Sequence, residues 1–253
     1  MSDDVILETR GLTKEFKGFV AVRNVSLAVK RGTIHALIGP NGAGKTTVFN
    51  LLTKFLSPTT GQILYKGEDI TGVPAAQIAR KGMVRSFQIS AVFPHLSVLE
   101  NVRLALQRTR GGNFDFWRSE RVLEGFHARA EELIASVGLT AFRDTTAVEL
   151  PYGRKRALEI ATTLALEPEM MLLDEPMAGL GREDIGRIAD LIRRVAVNRT
   201  VLMVEHNLSV VADLSHIITV LQRGEVLAEG TYAEVSTNPD VVSAYMGTGH
   251  GAH

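Results

Sequence analysis

The sequence predicts an α/β core with an antiparallel β subdomain beside it and an α-helical subdomain inserted in it. Three observations carry this. An apolar run, Ile34 to Ile38, leads into Gly39-Pro40-Asn41-Gly42-Ala43-Gly44-Lys45-Thr46-Thr47. A second apolar run, Met170 to Leu173, ends in Asp174-Glu175. Between them, from about Phe93 to Leu166, the pattern changes to that of helices. The expected layout is a single domain. Residues 1–92 and 167–253 form the core with its antiparallel sheet, and residues 93–166 form the inserted helical subdomain.

In chain order, Val5 to Thr9 reads as a strand ending near Gly11, and Val20 to Val29 as a second strand closed by Lys30-Arg31-Gly32. Ile34 to Ile38 is a buried strand, and Val48 to Leu52 lies in the first turns of a helix. Gly61 to Tyr65 is a strand, Lys66 to Asp69 a turn, Ala75 to Lys81 a short helix and Met83 to Gln88 a strand. Ser97 to Gln107 is a helix in which Ser97 and Glu100 have capping-box spacing. Arg110-Gly111-Gly112-Asn113 is a surface loop, Ser119 to Val137 a long amphipathic helix ended by Gly138, and Pro151 to Leu166 a third helix. Met170 to Leu173, Thr200 to Val204 and Ile217 to Leu221 are strands. Arg182 to Val197 and Asn207 to Leu214 are the helices between them. Gln222 to Glu225 is a tight turn into Val226-Leu227-Ala228, and the chain closes with a helix, Pro239 to Met246, and a tail bearing Gly and His.

Composition narrows the function. The chain has 253 residues, enough for a sizeable core. Lys plus Arg and Asp plus Glu are both 28, so no basic excess favours nucleic acid as a partner. The absence of cysteine excludes disulfides, thiolate zinc sites and a cysteine nucleophile, and it fits a reducing cytoplasm. Met1-Ser2-Asp3-Asp4 is unlike a signal peptide, and no apolar run is long enough to span a bilayer. A link to a membrane would therefore run through a partner.

Residues 39–47 fit the phosphate-binding P-loop, G-x-x-x-x-G-K-[ST], in its strand–loop–helix setting. Its glycines let the backbone of Gly39, Pro40, Asn41, Gly42, Ala43, Gly44, Lys45, Thr46 and Thr47 curl so that several N–H groups point at a phosphate at a helix N-terminus. Lys45 would reach the β- and γ-phosphates, and the Thr46 hydroxyl would hold Mg²⁺. Asp174, at the end of a buried strand, would hold Mg²⁺ directly or through water. Glu175, one residue on, points elsewhere and suits the general base for an attacking water. His206, at the end of the next strand, suits contact with the γ-phosphate as charge develops. Gln88 suits contact with Mg²⁺ or water. The other histidines (35, 95, 127, 216, 250 and 253) lack such a context and read as structural or solvated.

Taken together these residues resemble the ATP-binding cassette (ABC) family over nearly the whole chain. In that resemblance the core is an ABC-type P-loop NTPase, Gln88 is the Q-loop residue and His206 the switch histidine. Leu150-Pro151-Tyr152-Gly153-Arg154 stands where the family has its signature, usually Leu-Ser-Gly-Gly-Gln. Phe16 stands at the aromatic that stacks on adenine, with Phe19 its rival in the same loop. Ser86-Phe87-Gln88, Leu96 to Asn101, Leu158-Glu159-Ile160-Ala161, Ala178-Gly179-Leu180 and Ala244 to Gly247 further resemble the ATPase subunits of bacterial branched-chain amino acid importers.

The resemblance implies ATP and Mg²⁺ as cofactors and hydrolysis of ATP to ADP and phosphate. It implies a second ABC ATPase subunit as partner, identical or different, with each ATP held between one P-loop and the other signature. It implies two transmembrane permease subunits docking near Gln88 to Leu96, with Phe93 and His95 in the groove. A periplasmic or extracellular substrate-binding protein would be an indirect partner. The chain would sit peripherally on the cytoplasmic face of the inner membrane. Urea or short amides, aromatic acids and lipid export stay open as alternative cargo. A soluble non-transport ABC ATPase is disfavoured because the chain has neither a second cassette nor a coiled-coil insertion. Another P-loop enzyme, a GTPase or small-molecule kinase, is disfavoured because Asn-Lys-x-Asp is missing and a signature-like helix start is present. A non-catalytic assembly subunit is disfavoured because Glu175 and His206 are present.

Two departures fall in the half-site this chain would donate to its partner. Pro151 replaces the usual serine, and Gly181 replaces an acidic or amide residue after Ala-Gly-Leu. Proline suits the first position of a helix, Gly153 keeps its N–H, and Arg154 should add a cation near the partner's phosphate.

Overall fold

A computed structural model describes residues 4–86, 92–108 and 120–246. The first part runs β1 (Val5–Phe16), β2 (Phe19–Lys30), β3 (Ile34–Ile38), α1 (Lys45–Leu52), β4 (Thr60–Tyr65), β5 (Glu68–Asp69), α2 (Ala75–Arg80) and β6 (Met83–Ser86). Three helices follow: α3 (Val98–Arg108), α4 (Glu120–Ser136) and α5 (Tyr152–Leu164). The last part runs β7 (Met170–Asp174), α6 (Arg182–Val195), β8 (Thr200–Val204), α7 (Leu208–Leu214), β9 (Ile217–Gln222), β10 (Glu225–Gly230), α8 (Tyr232–Thr237) and α9 (Pro239–Met246).

Among the described residues the strands form two sheets. One is antiparallel, in the order β2-β1-β4-β5. The other has the order β10-β9-β3-β8-β7-β6, with only β10 antiparallel to its neighbour. Parallel strands need cover on both faces, and β3, β7 and β8 are buried at every position. Their side chains alternate between two cores. Ile34, Ala36, Ile38, Met171, Leu173, Val201 and Met203 pack with the apolar stripes of α3 to α7. Leu37, Met170, Leu172, Leu202 and Val204 pack with α1 and the antiparallel sheet. A slip of one residue would exchange the two sets, so this double burial fixes the register.

The helical block α3–α5 lies between β6 and β7 in the chain. Its first helix starts on the expected capping box: Ser97 N–H donates to Glu100 Oε2 at 2.7 Å, and Glu100 N–H to Ser97 Oγ at 3.2 Å. Gly138 follows α4 with φ 72, the left-handed conformation that closes a helix.

Four expectations change. β1 does not end near Gly11; Gly11 takes φ 58 where the β1–β2 register shifts, and the strand continues to Phe16. A bulge bends a strand without ending it. Pro151 is the cap before α5 (φ −55, ψ 151), not its first helical residue. Residues 68–69, expected in a turn, pair with β4 as β5. α8 went unseen in the sequence, although Thr231 and Glu234 form a full capping box. Gln88, the loop at 110–113 and the tail histidines lie outside the described residues.

Candidate active site

Strand register brings the expected groups to one edge. Leu37 of β3 and Asp174 of β7 both pair with Val204 of β8. The residues that follow, Gly39 to Thr47, Glu175, and Glu205-His206, therefore leave the sheet side by side at its C-terminal edge, where open α/β sheets bind ligands.

The loop after β3 is a tight backbone cradle. A Cβ on Gly39 would lie 2.2 Å from the Leu221 carbonyl oxygen, and one on Gly44 would lie 2.8 Å from that of Ala21. Gly44 has φ 97 and opens α1, which has neither a side-chain cap bond nor an acid in its first turn. Its first N–H groups and its dipole are thus unopposed by a local carboxylate. Lys45 Nζ folds back over the loop, donating to Gly39 O at 2.7 Å and Pro40 O at 3.0 Å. Burial lowers its pKa, with the nearby Glu175 opposing. Thr46 is exposed in the first turn of α1.

Asp174 is buried, and Arg85 Nη2 donates to its Oδ2 at 2.5 Å. Thr46 and Asp174 make an oxygen-only donor pair. No cluster of three His, Cys, Asp or Glu exists among the described residues. The two oxygen donors suit magnesium, which takes one or two protein oxygens and keeps its waters and phosphates.

Glu175 sits at φ 45, a conformation that needs outside support. Its N–H donates to Val204 O at 2.9 Å, and its carbonyl accepts from Ala178 N at 3.0 Å and Arg156 Nη2 at 3.3 Å. Arg156 is itself buried and ion-paired with Glu159 at 2.6 Å. Glu205 is fully buried. Its carboxylate accepts from Met177 N at 2.9 Å, His206 N at 3.0 Å and Asn207 N at 3.2 Å. One side chain thereby joins the loop after Glu175 to the loop of His206, whose own ring is exposed.

At the far end of the β1–β2 hairpin, Phe16 and Phe19 pair and both rings are exposed, with Lys14 Nζ 5.0 Å from the Phe16 centroid. Exposure alone does not choose between them. The C-terminal helix α9 also reaches the cradle. The Gly39 N–H donates to the Tyr245 hydroxyl, while burial pushes that hydroxyl's pKa up.

The segment at 150–154 lies at the start of α5. Leu150 is buried and Tyr152 is 55% exposed. A Cβ on Gly153 would lie 2.4 Å from the Asp184 carboxyl carbon, so an acid is packed on this helix start. Arg154 keeps its charge and is steered by its neighbours. It donates to Gly138 O at 3.1 Å and covers the Phe142 ring at 5.2 Å, because the helix end at Gly138 presents a bare carbonyl there.

Sequence reading missed Arg85, Arg156, Glu205 and Tyr245 as site residues. Arg85 and Glu205 were visible as charges inside or beside apolar strand runs, and Arg156 and Glu159 as an i,i+3 pair. Tyr245 carried no local signal for a contact across the chain.

Known proteins resemble this chain over nearly its whole length. Residues 22–178 match the family model described as ABC transporter, and residues 225–251 match one described as branched-chain amino acid ATP-binding cassette transporter. The chain is 42% identical to the high-affinity branched-chain amino acid transport ATP-binding protein BraF of Pseudomonas aeruginosa, over 96% of this chain and 98% of that one. It is 40% identical to LivG of Escherichia coli, with the same coverage. Among solved structures, the ADP conformation of MJ1267, an ATP-binding cassette of an ABC transporter, aligns with TM-score 0.84 and 29% identity, over 96% of this chain and 99% of that one. No helix among the described residues is long and apolar enough to cross a membrane.

Proposed function

The chain belongs to the ABC transporter family as an ATP-hydrolysing cassette, and from that premise we propose that it powers import of branched-chain or related amino acids. The observation that supports this reading most is the convergence of Gly39–Thr47, Asp174, Glu175 and His206 on one sheet edge. The match of residues 225–251 to the branched-chain cassette model supports the cargo class.

In this reading the loop N–H groups and Lys45 hold the phosphates of ATP, and an aromatic of the β1–β2 hairpin, Phe16 or Phe19, stacks on its base. Thr46 and Asp174 hold magnesium. When bound, that ion neutralises charge on the β- and γ-phosphates. Glu175 takes the proton of the attacking water, held at its angle by Val204 O and Arg156. His206 faces the charge that develops on the γ-phosphate. Gln88, three positions after Arg85, is assigned to the water or the ion on sequence alone. Residues 150–154 complete the site of a second cassette, whether a copy of this chain or a different one. Two permease subunits dock on the exposed Phe93 side, and a substrate-binding protein delivers cargo to them. The chain is held peripherally at the cytoplasmic face of the inner membrane.

If the second cassette is a different chain, the two composite sites are unequal. The one built on Lys45 and Glu175 carries most hydrolysis.

Uptake of radiolabelled leucine by cells lacking the gene tests the reading. Wild type restores uptake and Glu175→Gln does not, while unlabelled valine and isoleucine compete. Unchanged leucine uptake without the gene, with loss of urea, aromatic-acid or lipid transport instead, would overturn the cargo assignment.

A further inference from the structure

Arg85 lies inside β6, opposite Leu172 of β7, with its side chain only 11% exposed. A buried guanidinium is unfavourable unless it is paired. This one is gripped from several elements. Its Nη2 bonds Asp174 Oδ2 at 2.5 Å, and its Nη1 bonds Asn50 Oδ1 at 2.9 Å and Thr53 Oγ1 at 3.1 Å. The Phe49 and Phe55 rings lie 5.1 and 5.0 Å from its central carbon. Its Nε is buried without a hydrogen-bond partner. The fork is therefore satisfied at its far end, toward Asp174, Asn50 of α1 and Thr53 at that helix's C-terminal cap, at the expense of its near end. Arg85 ties together the end of β7, the helix that begins at Lys45, and the strand that precedes Gln88. A lysine could not reproduce this, since an ammonium lacks the planar fork.

We propose that Arg85 is a positioning residue for the metal–nucleotide site: it fixes the Asp174 carboxylate by one oxygen, leaves the other to magnesium, and sets that oxygen against the P-loop helix. The inference rests on the reading of Asp174 as a magnesium ligand, and the test separates the two.

Binding of a fluorescent ATP analogue (mant-ATP) to the full chain is measured in EDTA and across a Mg²⁺ series. The proteins are wild type, Asp174→Asn, Arg85→Gln and Arg85→Lys, with thermal unfolding alongside. Binding in EDTA gives each folded variant its own metal-free reference, against which the Mg²⁺ enhancement is read. The Mg²⁺ concentration for half-maximal enhancement rises about tenfold in Arg85→Gln, the scale expected when the partner of a metal ligand is removed. It rises less in Arg85→Lys. If Arg85→Gln does not fold, the lysine variant carries the test. Wild-type or lower Mg²⁺ requirement in the Arg85 variants, with a raised one in Asp174→Asn, overturns the role of Arg85 alone. An unchanged requirement in Asp174→Asn overturns the reading of Asp174 as well.

Discussion

At Glu175 the chain is held by side chains from other elements; at Pro151 it is not. The Glu175 carbonyl takes a bond from buried Arg156, and Glu205 ties the following loop to His206. Asp174 is fixed by Arg85. The start of α5, by contrast, has no side-chain cap bond, an exposed Tyr152, and the Asp184 carboxyl packed on Gly153. In the proposed reading, the half that would hold a nucleotide is cross-braced by side chains, and the half that would face a second cassette starts its helix without a side-chain cap. Groups that must meet reacting atoms need fixed geometry before substrate arrives. A docking face gains its remaining contacts from its partner.

Breaking the braces should cost more than altering the docking face. The largest effect is expected for Arg156→Met. It breaks the buried Arg156–Glu159 ion pair from one side and should remove about 3–5 kcal/mol of stability in urea unfolding. The double variant Arg156→Met/Glu159→Leu should regain stability without regaining ATPase activity, because the Glu175 carbonyl keeps Ala178 N but still lacks the donor that ties it to α5. Full recovery of turnover would reduce Arg156 to a stability role.

The strand beneath the cradle carries a pH dependence. His35 is fully buried, its Nε2 bonded to Thr219 Oγ1 at 2.7 Å, and burial lowers its pKa to about 4. The Thr219 hydroxyl gives its proton to Glu229, so His35 Nε2 is the donor. The unfolded chain binds this proton below about pH 6.5 and the folded one only below about 4. Stability is therefore full above pH 6.5 and falls by about 3 kcal/mol as pH drops through that window. His35→Gln, which keeps a donor to Thr219, should flatten the slope in unfolding measured at pH 5 and 7.

Tyr245→Phe removes the acceptor of the Gly39 N–H. One neutral hydrogen bond is worth about 1 kcal/mol, so nucleotide binding should weaken about fivefold by equilibrium titration. Unchanged affinity would separate α9 from the cradle. The smallest effect belongs to the docking face. Pro151→Ser supplies a helix cap and a hydroxyl, and should raise stability by about 1 kcal/mol or less and tighten ATP-driven pairing of cassettes. It should leave nucleotide affinity of the single chain unchanged. A change in that affinity would blur the distinction between the two halves.

Both halves announce themselves in the sequence, but not equally. Gly39–Thr47, Asp174-Glu175 and His206 are local motifs at strand ends, so spacing alone places them, and strand register then brings them together. The buried strands were legible because continuous apolar runs mark parallel strands covered on both faces. The bulge at Gly11 was misread because a glycine marks a bend as readily as an end. The capping box of Thr231 and Glu234 was legible and was missed. The braces were less accessible. Arg85 meets Asp174 across 89 positions and Met177 meets Glu205 across 28, and nothing local encodes such pairings. The contacts of Arg154 were equally hidden, because Gly138 and Phe142 come from the preceding turn of the helical block.

Steady-state ATP hydrolysis by the purified chain, wild type beside Glu175→Gln, with ATP binding measured on both, tests the braced half most directly. Loss of a general base should lower turnover at least about 100-fold while the cradle, which the substitution does not touch, still binds ATP. Hydrolysis by Glu175→Gln at the wild-type rate would contradict the account, since the geometry built around Glu175 would then serve no catalytic end.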